Sequence, residues 1–132
     1  MPMPDAPTTI LLVDDLEEVR HVLKLALESA GHEVLEAADG SEALAVEAQH
    51  DGDLDLLLTD VAMPGMDGPT LAQHLSIRRP RTPVLFVSAN RGFRPPRGPR
   101  GKPGHFLPKP FRPSDLLQAV EDTLDGRAFA QA

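Results

Sequence analysis

Short strand-like segments alternate with segments of helical periodicity along this chain, and no other feature restricts its possible folds as strongly. The strand-like segments are 9–13, 33–37, 54–59, 83–87 and 105–107. Apolar residues recur at helical spacing in 17–30, 41–49, 69–78 and 113–124. Strands joined by crossover helices form a parallel sheet that is covered on both faces. We therefore expect an α/β fold with a five-stranded parallel sheet.

Polar side chains follow the predicted strands at the ends where parallel strands meet. Asp14 and Asp15 follow the first strand, Asp60 the third and Ser88 the fourth, and Lys109 comes shortly after the fifth. In an open α/β sheet, ligands bind outside the carboxyl ends of the strands. We therefore expect three carboxylates, a hydroxyl and an ammonium group at one edge of the sheet.

This set of side chains suits a divalent cation and phosphoryl chemistry. Carboxylates that lie close together raise one another's pKa unless a cation is bound between them. A site made of oxygen ligands suits Mg²⁺, which keeps several waters and leaves positions open for phosphate oxygens. A further carboxylate beside the metal can act as a nucleophile towards phosphorus and form an aspartyl phosphate. Mg²⁺ and a lysine can then neutralise the charge on the transferring group.

Four segments carry a family resemblance: LLVDDLEEVR, LLLTDVAMPGMDG, PVLFVSA and FLPKPFRPSDLL. In this order and spacing they resemble the receiver domain of bacterial two-component response regulators, of the single-domain or hybrid-kinase type. The resemblance implies a flavodoxin-like (βα)5 fold with helices on both faces of the sheet. The expected domain is 8–126, preceded by a disordered lead-in at 1–7 and followed by a tail at 127–132.

The resemblance implies a role for each acidic residue of the predicted site. Asp60 would accept the phosphoryl group and contribute to Mg²⁺ binding. Asp15 would bind Mg²⁺ directly, and Asp14 would bind it mostly through water. The backbone carbonyl of Ala62 would be a further ligand of the metal. Mg²⁺ is therefore the expected cofactor.

Further residues take their expected roles from the same resemblance. Ser88 would donate a hydrogen bond to a phosphoryl oxygen, and Lys109 would form an ion pair with the phosphoryl group. The Lys109–Pro110 peptide bond would be cis. Phe106 lies where the family keeps a rotating switch aromatic. Arg112 stands where many relatives place a helix-capping serine, so the last helix would depend on Pro113 at its first turn.

The segment 89–104 departs from the family pattern, which has a fourth helix there. It holds four prolines, four glycines and no acidic residue, together with the cations Arg91, Arg94, Arg97, Arg100 and Lys102. Taking these five positive charges from the net charge of −7 leaves −12 for the rest of the chain. Proline and glycine disfavour a helix, so we expect the fourth helix to be missing or disordered. The segment is predicted to be either a recognition surface or a solvated spacer.

The resemblance also implies the function and the partners. The domain would take a phosphoryl group from a sensor histidine kinase or a phosphotransfer protein and then change conformation. It would not be an enzyme beyond self-phosphotransfer and autodephosphorylation. The apolar runs are too short to cross a bilayer, and no signal-peptide pattern opens the sequence. We therefore expect a cytoplasmic protein with no membrane segment and no DNA-binding domain; its downstream protein partner is not indicated.

Three alternatives to a phosphorylated receiver are considered. A pseudo-receiver would act as a phosphate-independent binding module, but such proteins usually lose an acid, the acceptor or the lysine. A Mg²⁺-dependent phosphatase usually needs a second acid two residues after its nucleophile, where this chain has Ala62. An RNA-binding protein could use the basic segment, but Phe93 is the one aromatic residue within it, which gives little surface for base stacking.

Overall fold

A computed structural model describes residues 7–97 and 104–129, with side chains described as far as residue 126. Within these ranges the sheet has five parallel strands in the order β2-β1-β3-β4-β5, which confirms the expected α/β fold. The elements are β1 (Thr9–Val13), α1 (Glu17–Ser29), β2 (Glu33–Ala37), α2 (Gly40–Gln49), β3 (Leu56–Asp60), α3 (Gly68–Arg78), β4 (Val84–Ser88), β5 (His105–Pro108) and α4 (Pro113–Phe129).

Each face of the sheet buries its own apolar cluster, because successive side chains of a strand point to opposite faces. One cluster packs against α1 and α4, and the other packs against α2 and α3. In β1, Ile10 and Leu12 belong to the first cluster, whereas Leu11 and Val13 belong to the second. Burial on both faces explains why β1 and β3 are apolar runs rather than alternating ones.

Some boundaries differ from those predicted. Strand β3 begins at Leu56 rather than 54, and the carbonyl of Leu54 accepts a hydrogen bond from the Thr82 hydroxyl at 2.8 Å. Strand β4 begins after Pro83, which has no N–H to donate to the sheet. Helix α4 continues past the predicted end at 124, because apolar spacing marks only the buried face of a helix and not its full length.

The chain between β4 and β5 forms no helix in its described part, residues 89–97 and 104. This agrees with the expectation that the fourth helix of the family is lacking. The remainder of that prediction falls on 98–103, which lie outside the described residues. Residues 1–6 of the predicted lead-in and residues 130–132 of the predicted tail also lie outside the described residues.

Candidate functional site

The edge of the sheet where β1 and β3 end carries three carboxylates. Asp14 and Asp15 follow β1, and Asp60 is the last residue of the neighbouring strand β3. Each residue offers a carboxylate oxygen, and these oxygens all lie within 4.8 Å of one another. Asp14 is buried, Asp60 is half-buried and Asp15 is exposed, so the cluster opens to solvent. The fold therefore brings the three predicted aspartates together.

Lys109 places its ammonium group beside this cluster. Its Nζ lies 3.4 Å from Oδ2 of Asp60 and 3.9 Å from Oδ2 of Asp14. The residue follows β5, and its backbone N–H donates to the carbonyl of Ser88 at 2.9 Å. The Lys109–Pro110 peptide bond is cis, as the family resemblance implies. Among the described residues, Lys109 is the cation paired with these carboxylates, which leaves excess negative charge at the site.

Asp14 is the buried carboxylate of the cluster. Burial is the largest influence and raises the pKa of Asp14 above its ordinary value. The N–H of Leu16, which donates to Oδ1 at 2.9 Å, and the charge of Lys109 oppose this shift. Asp60 and Asp15 add to it. Protonation of Asp14 therefore favours the folded state, and this contribution is lost as the pH rises through the raised pKa.

The replacement Asp14→Asn should stabilise the protein when metal is absent. The amide keeps an oxygen that can accept the Leu16 N–H but removes the buried negative charge. At neutral pH in EDTA, urea unfolding should show a gain on the order of 1 kcal/mol, the usual size of a single-residue effect. The exposed residue Asp15 provides the control, and Asp15→Asn should change stability less. An Asp14→Asn protein that is less stable than wild type would contradict this electrostatic account.

Ser88 and Ala62 lie near the cluster on the two segments that flank it. Ser88 is the last residue of β4 and directly follows Val87, the residue that pairs with Asp60. Its hydroxyl oxygen accepts the backbone N–H of Asn90 at 3.0 Å. Ala62 comes two residues after Asp60 and lines a solvent-open depression in the surface. Both residues therefore lie at the predicted edge of the sheet.

The loop after Asp60 is shaped by residues of the MPGMDG motif. Gly65 has a φ of +76°, a conformation that side chains rarely adopt. Gly68 packs so tightly that a Cβ there would collide with the carbonyl oxygen of Asp60. The carboxylate of Asp67 accepts the N–H of Thr70 at 2.8 Å and so caps α3. These residues bring the chain back against the end of β3 and begin α3 beside the site.

Phe106 lies on β5 within a group of three aromatic rings. It pairs in register with Phe86 of β4, and the ring of Phe93 packs edge-on against both. The ring centroids of Phe93 lie 5.4 Å from Phe86 and 5.5 Å from Phe106. Phe93 comes from the basic segment, so this segment is attached to the sheet beside the predicted switch residue.

Other contacts near the site were not predicted from the sequence. Arg20 of α1 donates from Nη1 to the carbonyl of Asp14 at 2.7 Å, and its Nε lies 3.3 Å from Glu36. Asn90 holds the turn that follows Ser88. At the start of α4, the Asp115 carboxylate accepts the backbone N–H of Arg112 at 2.9 Å. The last helix thus has a capping contact besides Pro113. The spacing of three residues between Arg112 and Asp115 could have predicted this contact from the sequence.

Within the ranges that the structure describes, no helix has the length and apolar character needed to cross a membrane.

Residues 10–121 of the chain match the family described as the response regulator receiver domain. The chain therefore belongs to the receiver domain family, whose members are phosphoryl-accepting switch domains of two-component systems and interact with histidine kinases or phosphotransfer proteins.

Individual relatives agree with this assignment. The chain is 40% identical over 121 residues to the sensor kinase CckA of Brucella abortus (strain 2308), covering 89% of this chain and 12% of the kinase. Among solved structures, the receiver domain of the hybrid histidine kinase CckA has a TM-score of 0.75 at 40% identity, covering 88% of this chain and 98% of that one. The response regulator TrrA of Thermotoga maritima, solved in complex with Mg²⁺-BeF, has a TM-score of 0.75 at 27% identity, covering 89% and 99%. The chain spans about half or less of the curated relatives that it matches.

Proposed function

We propose that this domain accepts a phosphoryl group on Asp60 from a histidine kinase or a phosphotransfer protein. The observation that carries the proposal is the meeting of three carboxylate oxygens within 4.8 Å of one another, with Lys109 beside them. The donor set consists of carboxylate oxygens, which suits Mg²⁺. Asp15, Asp60 and the carbonyl of Ala62 would hold the ion, with Asp14 contributing through water. When bound, Mg²⁺ would offset the carboxylate charge and the charge on the phosphoryl oxygens.

Asp60 acts as the nucleophile in the proposed reaction. A carboxylate oxygen of Asp60 forms the new P–O bond while the bond between phosphorus and the donor imidazole nitrogen breaks. The donor nitrogen keeps that electron pair, and the other ring nitrogen, which is protonated in the phosphorylated donor, keeps its proton, so an acyl phosphate and a neutral imidazole result. Lys109, which already faces Asp60 at 3.4 Å, provides positive charge for the added phosphoryl oxygens. Its role is to bind the product and not to move a proton.

Ser88 connects the phosphoryl group on Asp60 to the segment that follows β4. Its hydroxyl oxygen accepts a hydrogen bond from Asn90, so its own hydroxyl proton is available to a phosphoryl oxygen on Asp60. A shift of Ser88 towards Asp60 moves it away from β5, because β4 lies between β3 and β5. Phe106 of β5 would respond by changing its packing against Phe86 and Phe93. Beyond this transfer and the later hydrolysis of the acyl phosphate, we propose no turnover of an external substrate.

A phosphate-independent binding module is less well supported. Such a module does not need three carboxylates and a lysine at one edge of the sheet. One of these carboxylates, Asp14, is buried, and burial raises its pKa. The presence of a cluster that buries negative charge favours a role for the metal and the phosphoryl group. A phosphoryl group that derives from ATP is available inside the cell, so we place the reaction in the cytoplasm.

Adding Mg²⁺ should raise the melting temperature of the wild-type protein. At about a hundredfold excess over Kd, the gain in free energy of unfolding should be about 2.7 kcal/mol, provided the unfolded chain does not bind. Asp15→Ala should remove most of this gain, because the exposed carboxylate is a direct ligand in the proposal. Asp51→Ala removes an exposed acid that no element brings to the site and should leave the gain intact. Equal responses of the Asp15 and Asp51 variants would show that the metal binds elsewhere.

A further inference from the structure

The segment that leaves β4 presents arginines on its outer side. Within residues 89–97, Phe93 and Pro95 are half-buried, whereas Arg91, Arg94 and Arg97 are exposed. The arginines are spaced by three, and no acidic residue interrupts them. We call residues 89–97 the basic strip.

One hydrogen bond connects the basic strip to the Ser88 side chain, and two more within the strip form a turn at Asn90. The N–H of Asn90 donates to the Ser88 hydroxyl oxygen at 3.0 Å. The side-chain oxygen of Asn90 accepts a hydrogen bond from the N–H of Gly92 at 3.0 Å. The backbone carbonyl of Asn90 accepts a hydrogen bond from the N–H of Phe93 at 3.0 Å. These bonds close a tight turn that ends at Phe93, whose ring packs on Phe86 and Phe106. A displacement of Ser88 is therefore carried into the strip.

The charge around the basic strip favours an acidic protein segment as its ligand. A nucleic acid carries phosphate charge along its whole length, and a chain that is strongly acidic outside residues 89–104 would repel it beyond a few contacts. The one aromatic ring of the strip, Phe93, is half-buried and packs against Phe86 and Phe106, which leaves little surface for base stacking. A short acidic segment needs only local contacts, and guanidinium groups bind carboxylates well. Acidic residues farther than about 8 Å from the strip are largely screened at physiological salt, so they do not prevent a short segment from binding there.

We propose that the basic strip is a docking site for an acidic segment of a partner protein, and that the turn at Asn90 and the ring of Phe93 connect this site to Asp60. The second half of this inference rests on the proposed function. Arg91 shares a groove with Asp115 and Asp122 of α4, and these acids compete with an acidic partner. Movement of Ser88 towards a phosphoryl group draws the turn away from α4. Phosphorylation should therefore strengthen docking.

Binding of a fluorescein-labelled oligoglutamate peptide, followed by fluorescence anisotropy at low salt, tests the docking site. Arg94→Gln should weaken binding about threefold, the size expected for one exposed ion pair, and the double variant Arg91→Gln/Arg94→Gln should weaken it further. Arg81→Gln is the matched control, because Arg81 is also exposed and its loss changes the net charge equally. Equal weakening by Arg81→Gln and Arg94→Gln would overturn the proposal.

The same titration with Mg²⁺ and beryllofluoride tests the connection to Asp60. Wild type should bind the peptide more tightly after the addition, whereas Phe93→Leu and Asn90→Ala should bind it equally before and after. ¹⁹F NMR of bound beryllofluoride is recorded on the same samples. If beryllofluoride binds and the wild-type affinity for the peptide stays the same, the connection is wrong while the proposed function stands. If beryllofluoride does not bind to wild type, the proposed function itself fails.

A labelled oligothymidylate of the same length distinguishes the two classes of polyanion. The proposal expects it to bind more weakly than the peptide and to respond little to Arg94→Gln. Tighter binding of the oligothymidylate that depends on Arg94 would assign the strip to nucleic acid and overturn the proposal. Sedimentation of the unlabelled protein tests whether a second copy of this chain binds the strip. Dimerisation that Arg94→Gln abolishes would assign the strip to that second copy and overturn the proposal.

Discussion

Replacing Asp60 with asparagine should abolish the binding of beryllofluoride in the presence of Mg²⁺. The proposed adduct needs a carboxylate oxygen of residue 60 as the ligand of beryllium, as it needs that oxygen to attack phosphorus. The amide has nearly the same volume, and the backbone of Asp60 stays paired with Val87, so the fold should be kept. The expected result is complete loss of the bound ¹⁹F signals that wild type shows.

Asp51→Asn is the control for this variant. Asp51 lies in the exposed connection before β3, and its replacement changes the charge in the same way. The Asp51 variant should retain the bound signals. Wild-type-like signals from Asp60→Asn would show that another side chain is the acceptor. Loss of the signals from both variants would show that net charge, and not the Asp60 carboxylate, governs binding.

A second large effect is expected from Arg79→Ala, which breaks a buried ion pair. The side chain of Glu47 is 4% exposed, and its Oε2 accepts a hydrogen bond from Arg79 Nε at 2.8 Å. Arg79 also donates to the carbonyls of His50 and Gly52, at 3.0 and 2.7 Å. The Arg79 guanidinium thus connects the end of α3 to the end of α2 and to the segment before β3 through hydrogen bonds. It therefore helps to position the strand that ends at Asp60.

Arg79→Ala should lower the free energy of unfolding by about 2 kcal/mol, because the buried Glu47 carboxylate loses its charge-assisted hydrogen bond and two backbone carbonyls lose their donor. Arg78→Ala is the matched control. Nε of Arg78 lies 2.7 Å from Oε1 of Glu47, but that oxygen accepts no hydrogen bond within the described residues, and the Arg78 side chain is 55% exposed. Its removal should cost less than about 1 kcal/mol. Urea unfolding measures both, and equal losses would contradict the distinction.

The sheet and the site residues could be predicted because their signals are local. Each strand is an apolar or alternating run, and Asp14, Asp15, Asp60 and Ser88 stand next to such runs. Parallel pairing then brings the carboxyl ends of the strands to one edge without further information. The roles of Ser88, Lys109 and Phe106 came from the family resemblance. The structure places Ser88 and Lys109 at the same edge and Phe106 within β5, and their roles in switching remain proposals.

The contacts that support the site could not be predicted, because their partners are distant in sequence. Glu47 and Arg79 are 32 positions apart, and each alone has the appearance of an ordinary charged residue on a helix. Phe93 lies in a segment whose prolines and glycines gave no sign that one of its side chains packs on the sheet. The turn at Asn90 depends on the Ser88 hydroxyl, a contact that composition does not reveal. Such contacts follow only from the packed fold.

The most direct test of the central claim is the intact mass of the wild-type protein after incubation with acetyl phosphate. The account predicts the addition of one phosphoryl group that requires Mg²⁺, with peptide mapping after borohydride reduction locating it at Asp60. Addition that is independent of Mg²⁺, addition at another residue, or no addition to the folded protein would contradict it.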